Sequence, residues 1–283
     1  MGLVMDYGGT VEGYEAVSLP LEGEAAGARP AGGAVLRRRS ARPSRRAVMY
    51  VHCVGDSFVT DDLVSWYTER RFHFYAADLR KVGAEERPPG DGAGPAADLA
   101  ECFRCLDAAI VHLRESDGID TVVVSAHGSG ALIAALWCHA RRGSQPVDAL
   151  VLAAPRFGVG SAWLRRSRVA STGPAARRPP LPLLAAVQHR VRRGLKIACP
   201  VLVMCPAKGW DSPGGTGGLL LVARLATGGR VTTRLGEHVT WLKLGSGLPA
   251  GPVPDGSDRK RFFDELGRWL GAYLTGQVRD QLL

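Results

Sequence analysis

The sequence has no apolar run that approaches the roughly 20 residues needed to cross a membrane, so we expect no membrane span. Its first ten residues, MGLVMDYGGT, lack the basic stretch and apolar core of a secretory signal, and we predict a cytoplasmic protein. The six cysteines show no paired metal spacing apart from Cys102 and Cys105, which fall in a helical pattern. We therefore predict free thiols, no metal site and no cofactor.

Acidic residues are absent between Phe157 and Pro200, a segment that contains nine Lys or Arg residues. The remainder of the chain is balanced in charge, so this segment accounts for the whole formal net charge of +9. A concentrated positive potential attracts anions. An arginine-rich loop that merely faces solvent explains the composition equally well.

The rest of the sequence alternates apolar strands with amphipathic helices. This pattern is typical of an α/β protein, in which a mostly parallel sheet is covered by helices on both faces. We predict a single domain over residues 1–283, with two antiparallel strands at its start and a short basic lid insertion over residues 157–199. The predicted strands cover residues 14–21, 34–40, 46–52, 72–79, 121–127, 149–155, 200–206 and 230–235, and the predicted helices cover residues 61–70, 97–115, 131–141 and 258–273.

The segment TVVVSAHGSGALIAALW, residues 121–137, is the clearest candidate for a functional turn. Four β-forming residues lead into a turn of small residues, and a helix rich in Ala and Leu follows. A strand, a sharp turn and a helix in this order form a nucleophile elbow, which presents a catalytic side chain at the carboxyl ends of parallel strands.

Three segments together resemble the α/β-hydrolase superfamily, in particular its lysophospholipase and serine aminopeptidase-like branch. VMYVHCVGDS is similar to the family's strand and His-Gly oxyanion loop, and FHFYAADLRKVG is similar to its Asp-x-Arg-Gly-x-Gly segment. AHGSGALIAALW is similar to its Gly-His-Ser-x-Gly-Gly elbow. The resemblance runs from about Arg46 to Tyr273 and implies the α/β-hydrolase fold.

The resemblance also implies two members of a catalytic triad. Asp211, which follows the strand PVLVMC, stands where the family has its triad acid. His238, in LGEHVTW, stands where the family has its catalytic histidine, and the two residues come in the family's chain order. Asp255 or Asp258 could supply the acid instead.

The elbow departs from the family pattern at its centre. Aligning His127 with the elbow histidine puts Gly128 at the nucleophile position and Ser129 at the variable position after it. Glycine adopts the strained backbone of an elbow at little cost. The resemblance implies that the amide of Ser129 and an amide near Cys53 or Val54 form an oxyanion hole. Cys53 itself replaces the usual glycine of that loop.

The missing serine leaves several candidates for a nucleophile. Because Ser129 is shifted by one residue on a tight turn, we expect its hydroxyl to cap the following helix, with nucleophilic attack as the alternative. Cys53 and Cys205 lie at the ends of predicted strands, where a thiolate near His238 would be reactive. Buried structural cysteines are the alternative for both.

Three classes of function fit these residues. The first prediction is a serine-independent cyclase, lyase or isomerase of biosynthesis, in which His238 is the general base and the oxyanion amides stabilise negative charge. The first alternative is an esterase or thioesterase that uses Ser129, a cysteine or an activated water. The second alternative is a catalytically inactive relative that binds a ligand or a partner. The presence of the histidine favours an enzyme over the inactive relative.

The predicted lid bears on the substrate. It combines the apolar Trp163 with basic residues that include Arg190, Arg192 and Arg193. A hydrophobic pocket with a basic rim suits an apolar or anionic small molecule, or an acyl chain presented by an acidic acyl carrier protein. We expect no nucleic-acid binding, because aromatic residues are not interleaved with the basic ones as stacking platforms require.

Overall fold

The computed structural model describes residues 2–3, 13–19, 34–51, 59–79, 95–155, 195–206, 239–244, 253–254 and 256–280. Within these residues the predicted alternation of strands and helices is confirmed. The strands are β1 (Gly2–Leu3), β2 (Glu15–Ser18), β3 (Ala34–Arg38), β4 (Arg46–Val51), β5 (Val59–Thr60), β6 (His73–Asp78), β7 (Thr121–His127), β8 (Ala149–Ala153), β9 (Val201–Pro206) and β10 (Val239–Leu244). The helices are α1 (Asp61–Glu69), α2 (Pro95–Val111), which continues as a π-helical turn (His112–Ser116), α3 (Gly128–Ala140) and α4 (Ser257–Asp280).

Eight of the strands form one sheet in the order β10-β9-β8-β7-β4-β6-β3-β2. The six strands from β10 to β6 run parallel, whereas β3 pairs antiparallel with both β6 and β2. Strands β1 and β5 form a separate short antiparallel ribbon. Because the six parallel strands point the same way, their carboxyl ends form one edge of the sheet, called the carboxyl edge below. Their amino ends form the amino edge.

Helices cover both faces of this sheet, as predicted. Alternate residues of β4 belong to different apolar clusters: Ala47, Met49 and Val51 pack with α2 and α3, whereas Val48 and Tyr50 pack with α1 and α4. None of these five side chains is more than 1% exposed. Burial on both faces explains why the parallel strands consist of continuous apolar runs.

The structure differs from the sequence prediction at one end of the sheet. The strand beside β9 is β10, at 239–244, which the sequence analysis did not predict. Its Val, Thr and Trp favour a strand. The predicted strand at 230–235 lies outside the described residues. The predicted lid at 157–199 also lies outside them, except for 195–199, so the lid and the single-domain boundary stay predictions.

The described residues contain neither a membrane-spanning helix nor a cluster of metal ligands. None of the described helices is long and apolar enough to cross a membrane. Across the same part of the chain, no group of three or more His, Cys, Asp or Glu side chains is arranged to hold a metal ion.

Candidate active site

The turn between β7 and α3 is the candidate active site, and its backbone has the shape of a nucleophile elbow. His127 ends β7 in an extended conformation, with φ −125° and ψ 144°. Gly128 follows with φ +57° and begins α3. A left-handed φ costs most L-residues about 1–2 kcal/mol, whereas glycine adopts it freely. Gly128 is therefore the apex of the turn, where the backbone is left-handed, and Ser129 is already part of the helix.

Small residues on both sides of the apex let the helix begin close to the strand. Ala126 and Ala131 are fully buried, and Gly128 and Gly130 are buried as well. A side chain larger than a methyl group at these positions would push α3 away from β7. The sequence therefore retains the small positions that an elbow needs, although the apex has no side chain.

The far end of α3 is fixed to α2 by a polar cluster. The fully buried Trp137 donates from its indole nitrogen to Asp107 Oδ1 at 2.8 Å. Arg141 donates to the same carboxylate, with 3.0 Å from Nε to Oδ1 and 2.5 Å from a terminal nitrogen to Oδ2. The helix that carries the elbow is thus held rigidly at its opposite end, which preserves the orientation of its first turn.

A second serine near the elbow is poorly placed to react with a substrate. Ser125 lies inside β7, three residues before the apex, and is only 5% exposed. Its neighbour Tyr67, on α1, is fully buried, and burial raises the pKa of the Tyr67 phenol. Although the Ser125 hydroxyl is close enough to oppose this shift, the Tyr67 hydroxyl makes no hydrogen bond of good geometry. Ser125 is therefore enclosed beneath the elbow, away from the carboxyl edge.

Known proteins share this mostly parallel sheet with an elbow after a central strand. The model of the serine aminopeptidase S33 family matches residues 42–203, more than half of the chain, and this span contains the whole elbow. The protein belongs to this family. It is an α/β-hydrolase, as the sequence resemblance implied, and the predicted fold is confirmed.

Solved structures of other α/β-hydrolases superpose on nearly the whole length of this chain. EstE1, a thermostable carboxylesterase from a metagenomic library, superposes with a TM-score of 0.61 at 14% identity and covers 94% of this chain and 90% of its own. Monoglyceride lipase from Saccharomyces cerevisiae gives 0.61 at 10% identity, with 95% and 98% covered. An esterase from Pyrobaculum calidifontis gives 0.59 at 16%, with 93% and 86% covered. Such low identities establish the fold alone.

These comparisons also bear on the three classes of function. No curated protein matches the chain at the sequence level. Membership of a hydrolase family and a fold shared with esterases and lipases favour the hydrolase alternative. They give less support to the cyclase, lyase or isomerase that the sequence analysis placed first.

Of the predicted site residues, the structure brings His127, Gly128 and the backbone of Ser129 together at the carboxyl edge. Backbone amides in the first turn of a helix have no intrahelical acceptor, so the amide of Ser129 is available as a donor. The other predicted site residues lie outside the described part of the chain: Cys53, Val54, Trp163, Arg190, Arg192, Arg193, Asp211 and His238. Their roles stay predictions.

The register of β10 bears on the role expected for His238. Val239, the next residue, begins β10 and pairs with Val201, the first residue of β9. Val239 therefore lies at the amino edge, whereas Gly128 lies at the carboxyl edge, and a strand of this length separates the two edges by roughly 20 Å. His238 itself lies outside the described residues, so its role as the base stays a prediction of the resemblance.

Proposed function

We propose that the protein hydrolyses carboxylic esters or thioesters of apolar acids at the carboxyl edge beside Gly128. The observation that carries the proposal is the left-handed φ of +57° at Gly128, between β7 and α3, inside the segment that matches a hydrolase family. An elbow backbone of this kind serves to bring a scissile carbonyl against the first turn of a helix. The hydrolase alternative of the sequence analysis is thus preferred to its cyclase, lyase or isomerase prediction.

The amide of Ser129 supplies one oxyanion donor in this proposal. It lies in the first turn of α3, where backbone N–H groups are free and the helix dipole favours negative charge. A donor of this type stabilises the oxyanion that forms when a carbonyl is attacked. The second donor, near Cys53 or Val54, stays an expectation from the resemblance.

Water is the proposed nucleophile. The apex residue Gly128 has no side chain to attack with, and Ser129 is the next residue, already inside α3. Position 129 is therefore not the apex position of the elbow. In enzymes that lose the serine of a triad, the oxyanion hole and substrate binding alone retain about 10³- to 10⁴-fold acceleration over water. A general base would add to this factor, so about 10³- to 10⁴-fold is the lower bound of the expected activity.

The proposal needs a general base at the carboxyl edge. His127 ends β7 there, and His52 follows Val51, the last residue of the neighbouring strand β4, in the chain. Val51 pairs with Ala126, so the two strand ends are adjacent. His238, which the resemblance implies as base, follows neither strand.

The class of substrate comes from the predicted lid. Trp163 and the neighbouring leucines supply apolar surface, and Arg190, Arg192 and Arg193 supply positive charge. We propose an apolar acyl group next to an anionic group, either within one small molecule or as the thioester of an acyl carrier protein. Replacing the three arginines by Gln should weaken binding of the anionic substrate most at low salt, where screening is least.

The test is hydrolysis of p-nitrophenyl esters of increasing acyl length and of matching acyl-pantetheine thioesters. We expect turnover at least about 10³- to 10⁴-fold above the buffer rate, no labelling by a fluorophosphonate probe and no acyl-enzyme in intact-protein mass spectra. Ser129→Ala should retain this turnover, as should Ser116→Ala, a control at an exposed serine. An acyl group or fluorophosphonate mapped to Ser129 would establish Ser129 as the nucleophile. Turnover at the buffer rate with every ester would contradict hydrolysis and favour the cyclase or the inactive relative.

A further inference from the structure

Two buried thiols lie in contact where the chain re-enters the sheet. Cys138 is in the last turn of α3, and Cys199 lies just before β9. They are 3% and 2% exposed, and neither is in a disulfide. The Cys138 thiol is hydrogen-bonded to the sulfur of Cys199. The two residues are about sixty positions apart in the chain, so the contact depends on the fold.

The segment that carries Cys199 is fixed on α3 by further contacts. Leu195 is fully buried, and Ile197 packs against the same apolar cluster that contains both cysteines. The Lys196 amide donates to His139 Nδ1 at 2.8 Å. These contacts hold the segment that carries Cys199 against the end of α3 that carries Cys138.

A surface crevice gives access to the thiols. Its lining includes Cys138, Cys199, Arg142, Gln145 and Ile197, and it has room for about one water molecule. A small polar oxidant can enter a space of this size, whereas a protein oxidoreductase cannot reach the sulfurs.

The Cys138 thiol is a poor first nucleophile. The hydrogen bond to Cys199, together with burial and the charge of the Cys199 sulfur, raises the pKa of the Cys138 thiol well above its ordinary value. Cys138 therefore keeps its proton, and the first attack is assigned to its partner, Cys199.

We propose that Cys138 and Cys199 form a reversible disulfide when the protein meets a small peroxide. The Cys199 thiolate attacks one oxygen of hydrogen peroxide, the O–O bond breaks, and the departing hydroxide takes up a proton to give water. The sulfenic acid on Cys199 is then attacked by the Cys138 sulfur, so that the S–S bond forms and the S–O bond breaks. The second hydroxide takes the Cys138 proton and leaves as water. Two thiols lose two electrons, and one peroxide is reduced to two waters.

The disulfide would tie the helix that begins at the elbow to the segment that enters β9. It would close a loop of about sixty residues, which restricts the unfolded chain more than the folded one. We expect oxidation to raise the melting temperature by about 5 °C or more and dithiothreitol to reverse the change. This inference does not depend on the proposed hydrolase activity.

The experiment treats reduced full-length protein with hydrogen peroxide, stops the reaction with catalase, alkylates the remaining thiols and maps disulfide-linked peptides. We expect one linkage, between Cys138 and Cys199. Cys105→Ser, a control at another buried cysteine, should leave this linkage in place, whereas Cys199→Ser should abolish it. Both thiols remaining alkylatable, or a linkage through Cys53 or Cys205, would overturn the proposal.

A second variant guards against misfolding as the cause of a lost linkage. Cys138→Ala keeps an apolar side chain in the buried site. In this variant the sulfenic acid on Cys199 has no partner, so dimedone should label Cys199 at least about fivefold more than in the wild type. Equal dimedone labelling of Cys199 in both proteins would contradict the order of attack and, with it, the paired site.

Discussion

The elbow at Gly128 and the polar cluster around Asp117 both adjoin the eight-stranded sheet, but they differ in how their polar groups are hydrogen-bonded. At Asp117 both carboxylate oxygens are occupied: Arg37 donates to them at 2.6 Å and 2.8 Å, and the Tyr75 hydroxyl donates to Oδ2 at 2.7 Å. At the elbow, the first-turn amides of α3 have no intrahelical acceptor, and the apex has a left-handed backbone. The Asp117 cluster can stabilise only the fold, whereas the elbow has donors left for a ligand.

Strand register explains how the Asp117 cluster forms. Arg37 on β3 lies opposite Tyr75 on β6, and Glu15 on β2 lies opposite Arg37, so the three side chains share one face of the sheet. Arg37 also pairs with Glu15 at 2.6 Å. The side chains of Arg37 and Asp117 are only 8% and 7% exposed. The cluster therefore connects the antiparallel end of the sheet to the turn that precedes β7.

The charge state of Asp117 shows which effect dominates in the cluster. Burial alone raises the pKa of Asp117, but hydrogen bonds from Tyr75 and Arg37 outweigh it, and the pKa ends below its usual value. His112 Nε2 lies 3.3 Å from Oδ2 without making a hydrogen bond, so His112 contributes through its charge when it is protonated. The charges of Asp117 and Arg37 are thus compensated inside the cluster, whereas the first-turn amides of α3 have no intrahelical acceptor.

The largest effect on turnover is expected from replacing the histidine that acts as general base. A general base contributes about 10²- to 10⁴-fold in rate. If the base is at the end of β4 or β7, His52→Ala or His127→Gln should lower turnover by this amount, and His238→Ala should leave it within about threefold of the wild type. Steady-state ester hydrolysis measures the three variants, with circular dichroism to confirm folding. A loss of 10²-fold or more in His238→Ala alone would contradict His52 and His127 as the base and support His238, the base that the resemblance implies.

The next largest effect is expected from removing the Asp117 carboxylate, the buried partner of Arg37. Asp117→Ala leaves the buried Arg37 without its main partner, which costs about 3–5 kcal/mol. The melting temperature should fall by at least about 6 °C. Asp120→Ala is the matched control, because Asp120 pairs with Arg45 at 2.8 Å while both side chains are mostly exposed, and such pairs contribute about 0–1 kcal/mol. Equal melting temperatures for the two variants would show that the cluster is not a buried ion pair in solution.

The contribution of Asp117 to the free energy of unfolding should depend on pH, with a smaller effect than that of Asp117→Ala and with a definite sign. The folded pKa of Asp117 is lower than its unfolded value of about 3.9. Its contribution is therefore complete above the unfolded pKa and is lost as the pH falls through the folded pKa. The stability gap between the wild type and Asp117→Asn in urea unfolding should narrow as the pH falls from about 5 toward 3. A gap that widens over this range would mean that the pKa is raised instead.

The comparison also shows what the sequence could predict. The runs TVVVSAH and ALVLAAP predicted β7 and β8, because strands buried on both faces need continuous apolar residues. The turn of small residues predicted the elbow, which is a local feature. The pairing of Arg37 with Asp117 could not be predicted, because the two residues are 80 positions apart and meet only through the fold. Strand β10 was not predicted, although its Val, Thr and Trp favour a strand.

The smallest expected effect tests the elbow backbone itself. Gly128→Ala should lower the melting temperature by about 2–4 °C, because a left-handed φ costs an L-residue about 1–2 kcal/mol. Two controls separate strain from packing, since a Cβ would meet nothing within 4 Å at Gly118, with φ +64°, or at Gly143, whose φ is not left-handed. Gly118→Ala should show the strain alone, and Gly143→Ala should be neutral or slightly stabilising. If Gly128→Ala is as harmless as Gly143→Ala, position 128 is not a left-handed apex in solution, and the contrast between a strained elbow and a compensated cluster no longer holds.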